Sequence, residues 1–467
     1  MPQLHNICLL TDSYKVSHYL QYPPGTRRVY SYFESRSGSV HPQTVFFGLQ
    51  YWLKEYLSGP VVTQAGIDEA DELCRLHFGQ PVFNRAGWEH ILNHHGGRLP
   101  VEIRAVPEGT VVDASNVLMT VENTDDRVYW LTNYLETLLV QTWYPSTVAT
   151  QSRAMKQVIA RALARSGDPS QIGFKLHDFG FRGVTCPEQA GLGGLAHLTS
   201  FLGTDTLAAL QFGRRFYHAP MAGFSIPAAE HSTITSWGRA GEIDACRNML
   251  RQYPTGLVAV VSDSYDIFHC CAEIWGGVLK AEVLARDGTL VIRPDSGDPP
   301  TTVVRVLEIL GEKFGSSKNT QGYRVLPPQV RVIQGDGIDF AMLGKILEAV
   351  LAAGWSADNI AFGSGGGLLQ KLNRDTQRFA FKCSSILVGN AERDVYKQPV
   401  TDSGKISKKG RLKLVRRSDS PDHHFETVPL SDPRPDQLQP VFRNGALLSE
   451  MTLDEVRDRC ALGLLPG

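Results

Sequence analysis

The chain has 467 residues, more than the ~250–300 at which a single hydrophobic core stops growing, which implies two domains or one elaborated barrel. Its composition, 42% hydrophobic and 20% charged with a formal net charge of -1, is that of an ordinary globular protein. This balance excludes binding to nucleic acid or an anionic membrane through overall charge, so any basic cluster has to be local.

The eight cysteines, at 8, 74, 186, 246, 270, 271, 383 and 460, form no CxxC. That is the usage of a reduced, cytoplasmic protein. The opening "MPQLHNICLL" lacks the basic and apolar parts of a secretory signal, so none is expected. No stretch approaches the ~20 apolar residues of a membrane span.

In chain order, "RRVYSYFESR" (27–36) alternates as a strand does, and "FFGLQYWLKEYL" (46–57) has helical spacing. "LPVEIRAVPEGTVVDASNVLMTVEN" (99–123) is β-rich with Pro and Gly turns. The apolar content of "DRVYWLTNYLETLLVQTWY" (126–144) predicts one long, largely buried helix, and "STVATQSRAMKQVIARALARSG" (146–167) predicts a second. From about residue 170, short apolar runs end in polar or Gly-rich turns followed by helical segments. "GFKLHDFGFRG" (173–183), "LVAVVSDSYD" (257–266), "TLVIRPDSGD" (289–298), "VRVIQGDGID" (330–339) and "NIAFGSGGGLLQKL" (359–372) share this form. Their polar ends at Asp263, Arg293, Asp336 and Gly365 lie 30, 43 and 29 residues apart. This is the pace of βα units in a parallel sheet or barrel, whose strands gather ligand groups at their carboxyl ends. Beyond 380 come a strand-like run, a basic segment (396–417) and a Pro- and Asp-rich tail.

Several windows carry chemistry, each with a plainer alternative. In "PAAEHSTITSWG" (227–238), Glu230 and the hydroxyls suit a capped helix start, while His231 suits a histidine that carries a charged group. "GSGGGLLQKLNRD" (363–375) is either a flexible turn or a loop whose N–H groups converge on an anion. Arg374, eight residues past Gly366, would follow about two helical turns later. Arg293 and Asp295 in "IRPDSGDP" are either a surface ion pair or a clamp for a phosphorylated sugar. Asp336, between glycines, fills a tight turn or holds hydroxyls or Mg²⁺. Phe179 and Arg182 pair an aromatic shelf with a phosphate-seeking cation, and Asp205 either accepts an amide N–H or caps a helix. Tyr14 stands in the N-terminal "LLTDSYKVSHY"; Lys382, Lys397 and Lys405 belong to the basic C-terminal segment. There is no P-loop, and the DFG triplet lacks the loops a kinase needs.

Taken together and in order, "TDSYKVSHY", "YFESR", "KLHDFGFRG", "GTDT", "PAAEHSTI", "VVSDSYDI", "IRPDSG", "RVIQGDG", "FGSGGGLLQK" and "SKKGRL" closely resemble the nicotinamide phosphoribosyltransferase family, over roughly residues 5 to 460. The resemblance implies an α/β fold: an irregular α/β barrel (171–379) carrying the phosphoribosyl site, and a second α+β domain built from 1–170 and 380–467. It implies an obligate homodimer with shared active sites, and the substrates nicotinamide, phosphoribosyl pyrophosphate and ATP. Mg²⁺ would travel with the pyrophosphate or ATP rather than in a dedicated protein cage.

By the same resemblance, Phe179 and the other subunit's Tyr14 sandwich the pyridine and Asp205 accepts the carboxamide N–H. Arg293 holds the amide carbonyl or the pyrophosphate; Asp295, Gly335 and Asp336 hold ribose hydroxyls. Gly365, Gly366 and Arg374 take the 5′-phosphate, while Arg182, Arg36, Lys382, Lys397 and Lys405 neutralise phosphates. His231 becomes phosphorylated, with Asp263 supporting it and Glu230 placed to tune it. Ala259 departs from the pattern, standing where the animal relatives are expected to carry a hydroxyl. Asp205 favours a neutral amide over nicotinate or quinolinate, the competing substrates within the wider fold.

Overall fold

The computed structural model describes residues 5–401, 406–417 and 424–463. Its described residues divide into two compact units, one of 5–150, 215–219 and those of 373–463, the other of 151–214 and 220–372.

The first unit is built on a seven-stranded sheet in which every pairing is antiparallel. Its longest strands are Thr26–Ser35 and its neighbour Phe379–Val388; on its other side Thr26–Ser35 pairs with the central strand Val117–Asn123. The alternation seen in "RRVYSYFESR" does not reflect a wet face. Val29 to Ser35 are all buried, because helices and loops cover both sides, and Phe33 stacks on Phe379 with ring centroids 5.0 Å apart.

The segment 126–144 departs from its predicted single helix. It is a series of short turns, Asp126–Val128, Leu131–Tyr134, Glu136–Leu139 and Val140–Thr142, before a long helix Trp143–Ser166 begins. Trp130, Leu131, Tyr134, Leu135, Leu138 and Leu139 are all buried. A segment apolar on nearly every side carries no periodic signal to say where one turn stops and the next begins.

The second unit carries a six-stranded sheet, all parallel, in the order Gly203–Thr204, Leu176–Asp178, Ile360–Ser364, Val330–Gln334, Asp287–Arg293, Thr255–Val261. Runs such as "VAVV" and "VRVIQ" suit strands covered on both faces, with helices such as Pro299–Phe314 and Phe340–Ala352 between them. The sheet curls, and a single irregular segment joins its two edges. Phe224 bridges Gly203 at one edge and Ala228 bridges Ala259 at the other, through Thr204 N–H to Phe224 O (2.9 Å) and Ala259 N–H to Pro227 O (2.9 Å). The α/β architecture with an irregular barrel is thus present. All eight cysteines are free thiols, and no helix among the described residues is long and apolar enough to cross a membrane.

Candidate active site

The site stands at the carboxyl ends of the parallel strands, because there each apolar run stops and the chain turns. Thr255–Val261 leads to Asp263, Asp287–Arg293 to Asp295, Val330–Gln334 to Gly335 and Asp336, and Ile360–Ser364 to Gly365. His231 opens a short helix, His231–Thr235, directly after the segment that closes the barrel. Its Nε2 lies 2.9 Å from Asp263 Oδ1 and its Nδ1 4.0 Å from Asp295 Oδ2. The Asp263 side chain is 5% exposed and the imidazole 46%, so the acid is shielded while the ring faces open space. A carboxylate can only accept, which places the proton on Nε2 and leaves the lone pair on Nδ1.

Arg293 Nη2 lies 3.5 Å from Asp295 Oδ2, an ion pair at the strand end. Burial, and the nearby charges of Asp263 and Asp336, push the Asp295 carboxyl above its ordinary value, against the pull of Arg293 and His231. The buried Arg293 Nε has no partner among the described residues. Glu230 does not turn to the imidazole. It stands at the start of the helix without capping it, and its carboxylate takes the Ser232 hydroxyl.

Phe179 sits beside this group. Its N–H donates to Ser364 O (2.9 Å), and its half-buried ring packs on Ala259, Val291 and Ile333 with Ile226 and Ala361. A Cβ on Gly363 would fall 1.9 Å from Phe179 Cε2; one on Gly335 would lie 3.4 Å from both that atom and Asp295 Oδ1. Glycine therefore lets the ring rest on the strand backbone close to Asp295. Beneath it a cavity of about 380 Å³ extends down the barrel interior, past Ile226, Val291 and Ile333 to Arg331 and Asn359. The exposed Asp205 accepts the Ser225 hydroxyl.

The glycine loop lies against the same turn. A Cβ on Gly365 would come within 3.4 Å of Phe179 O, and one on Gly183, next to Arg182, within 3.3 Å of Gly366 Cα. The helix after it is a single turn, Gly366–Leu369, since three glycines contribute little helical preference. Arg374 therefore does not ride on a two-turn helix, and belongs to the first unit.

That unit gathers the other predicted cations. Burial, then the charges of Lys397, Arg36 and Arg374, lower the pKa of the Lys382 ammonium, with Glu136 opposing. Glu136 is already paired with Lys15 at 2.7 Å, so the cluster is in net excess of positive charge. Tyr14 is 59% exposed, with its ring edge against His18. Lys405 lies outside the described residues.

Two residues escaped the sequence reading. Asp178 is fully buried: its Oδ1 accepts Gly180 N–H (2.7 Å), its Oδ2 accepts the Thr204 hydroxyl (3.3 Å), and its carbonyl takes Asp205 N–H (2.9 Å). It thereby fixes both the Phe179 turn and the Asp205 loop, and burial pushes its carboxyl up to about 6. The signal was present, as an acid at the end of the apolar run in "KLHDFG". Ser225 had none, because only the fold brings it to Asp205.

Known proteins resemble this chain in family and in fold. Residues 174–446 match the nicotinate phosphoribosyltransferase (NAPRTase) family, and residues 6–103 the N-terminal domain of nicotinamide phosphoribosyltransferase. A nicotinamide phosphoribosyltransferase of Xanthomonas campestris is 54% identical over 98% of each chain, and one of Acinetobacter baylyi 33% identical over 96% of each. The fold is similar to that of nicotinate-nucleotide pyrophosphorylase from Pyrococcus furiosus, with a TM-score of 0.62 at 16% identity, covering 98% of this chain and 96% of that one. Human nicotinic acid phosphoribosyltransferase follows, with a TM-score of 0.59 at 17% identity, over 97% and 93%. With the barrel mouth, the His–Asp pair and the near-full-length identity in agreement, the chain belongs to the nicotinamide phosphoribosyltransferase family.

Proposed function

We propose that the chain transfers a phosphoribosyl group from phosphoribosyl pyrophosphate to nicotinamide, giving nicotinamide mononucleotide and pyrophosphate, and that ATP drives the reaction through His231. The reading rests above all on one observation: the His231–Asp263 pair, the Arg293–Asp295 pair and the Phe179 ring share one barrel mouth.

The pyridine lies on Phe179, with Tyr14 of a second copy of the chain covering its other face. Asp205 accepts the carboxamide N–H, and Arg293 takes the amide carbonyl or the pyrophosphate. The ring nitrogen attacks the anomeric carbon as the bond to pyrophosphate oxygen breaks, through an oxocarbenium-like state. Orientation and charge stabilisation do most of the work in such a step. Asp295, Gly335 and Asp336 hold the ribose hydroxyls. The N–H groups of Gly365 and Gly366, with Arg374, take the 5′-phosphate, while Arg182, Arg36, Lys382, Lys397 and Lys405 meet the remaining phosphate charge.

Hard carboxylate oxygens at adjacent strand ends, with Asp295 lifted partly by its neighbours' charge, fit a Mg²⁺ ion carried by the polyphosphate. The ion would stay with the polyphosphate, Asp295 and Asp336 would face it, and when bound it would neutralise phosphate charge.

For the coupled step, His231 Nδ1 attacks the γ-phosphorus of ATP. An N–P bond forms, the bond to the β-phosphate oxygen breaks, and ADP leaves. Asp263 keeps the opposite nitrogen protonated, and water later releases phosphate. Small phosphorylated substrates and free thiols suit a cytoplasmic enzyme.

The test is mononucleotide formation by purified protein with Mg²⁺ and phosphoribosyl pyrophosphate, comparing nicotinamide with nicotinate, with and without ATP. Product from nicotinamide, increased by ATP in the wild type and unaffected by ATP in His231→Ala, is the expected outcome. ATP stimulation that survives His231→Ala would place the phosphate elsewhere, and product from nicotinate alone would overturn the substrate.

A further inference from the structure

We propose that His90, His95 and Asp125, in the first unit, form a site for a divalent transition-metal ion, with Zn²⁺ the best match to their donor atoms. His90 and His95 come from the helix Arg85–His95, whose last residue is held by a left-handed Gly96. Asp125 comes from the turn after the strand Val117–Asn123. Both imidazole Nε2 atoms lie 2.7 Å from one oxygen, Asp125 Oδ2, and the three donor atoms all lie within 4.8 Å of one another.

The carboxylate is set in place before any ion arrives. Its Oδ1 accepts Arg127 N–H at 2.8 Å, and the Asp125 carbonyl accepts the Asn123 amide at 2.8 Å. His90 is braced from behind by His94, with ring centroids 4.3 Å apart. The three ligand side chains are 11%, 26% and 20% exposed, shielded yet reachable by an ion.

Two imidazoles and a carboxylate are the protein share of many zinc sites. At metal–ligand distances of about 2.0–2.2 Å, a tetrahedral site needs donors roughly 3.3 Å apart. The two Nε2–Oδ2 pairs therefore open by roughly 0.6 Å, and each imidazole moves its proton from Nε2 to Nδ1 as the ion takes its place. At His90 that proton meets Arg127, whose exposed guanidinium lies 3.5 Å from Nδ1 and has to turn out to solvent. Metal and arginine thus compete for the same tautomer. A bound ion would also clasp the helix to the strand turn, which links metal binding to stability.

The test uses full-length protein freed of any tag, stripped with chelator and dialysed, then titrated with Zn²⁺ by calorimetry and with Co²⁺ by visible absorption. The expected result is one equivalent per chain, a tetrahedral Co²⁺ spectrum without thiolate charge-transfer bands, and a raised Tm. His95→Gln and Asp125→Asn should each weaken binding by more than the about 10–100-fold that loss of an outer-shell partner costs, while Arg127→Ala should tighten it. Binding that persists in both ligand variants, or wild-type binding no tighter than theirs, would overturn the site and leave a hydrogen-bonded clasp. Should a ligand variant fail to fold, Arg127→Ala and the wild-type Co²⁺ spectrum still decide: unchanged affinity together with an octahedral spectrum refutes the proposal.

Discussion

Asp205 illustrates what single residues reveal and what they hide. Its carboxylate can accept the two N–H donors of a carboxamide but repels a second carboxylate, so one side chain can separate nicotinamide from nicotinate. The sequence made Asp205 legible, because an acid follows the short strand in "LGTDT". Its partner Ser225 was not, since a serine in "GFSIPAA" resembles any loop serine until the barrel closes around it. Glu230 shows the converse. The resemblance places it to tune His231, and in the structure the partner of the imidazole is Asp263, 32 residues away. Asp205→Asn keeps the shape and the Ser225 contact while removing the charge. The expected result is that the ratio of kcat/KM for nicotinamide over nicotinate falls by roughly tenfold or more, the scale of a 1.4 kcal/mol like-charge term. Steady-state kinetics on both pyridines check it, and an unchanged ratio would remove Asp205 from substrate selection.

At the scale of elements, five of the six parallel strands are legible because each combines an apolar run with an abrupt polar stop, while the two-residue strand Gly203–Thr204 has no such run. The segment 224–229 is not legible, because it joins both sheet edges through isolated bridges rather than a strand, and so has neither length nor alternation. The segment 126–144 hides its breaks for the opposite reason, being too uniformly apolar to show them. Gly363 tests how far a strand itself shapes the ring slot. Its need for glycine comes from close approach: a Cβ there would overlap Phe179 Cε2 at 1.9 Å, while the Phe179 backbone is tied to Ser364 O. Gly363→Ala should therefore raise KM for nicotinamide at least about tenfold and cost about 1–3 kcal/mol of stability, the range for overpacking. Adding Phe179→Ala should recover most of the stability and none of the affinity. Recovery of neither would mean that the glycine serves the strand rather than the slot.

At the scale of the whole molecule, the candidate site residues divide between the two units, and this division is what a reading of local windows could not resolve. His231, Asp295, Phe179 and the glycine loop belong to the barrel unit, while Tyr14, Arg374 and the Arg36–Lys382–Lys397 cluster belong to the other. The proposed function asks for a second aromatic face and for cations beside the backbone N–H groups, and assigns both to residues of the first unit. In a homodimer with shared sites, the first unit's share comes from the neighbouring copy. Complementation separates this arrangement from a site completed within one chain. Phe179→Ala and Tyr14→Ala proteins should each be nearly inactive as homodimers. When the two are co-refolded in equal amounts, half the dimers are mixed, and in each of these one site regains both aromatic residues while the other loses both. Activity should then rise to about a quarter of the wild-type value, with sedimentation confirming the dimer. If the mixture only averages its two components, Tyr14 and Phe179 act in the same chain, and the shared-site arrangement is wrong even where the enzyme turns over normally.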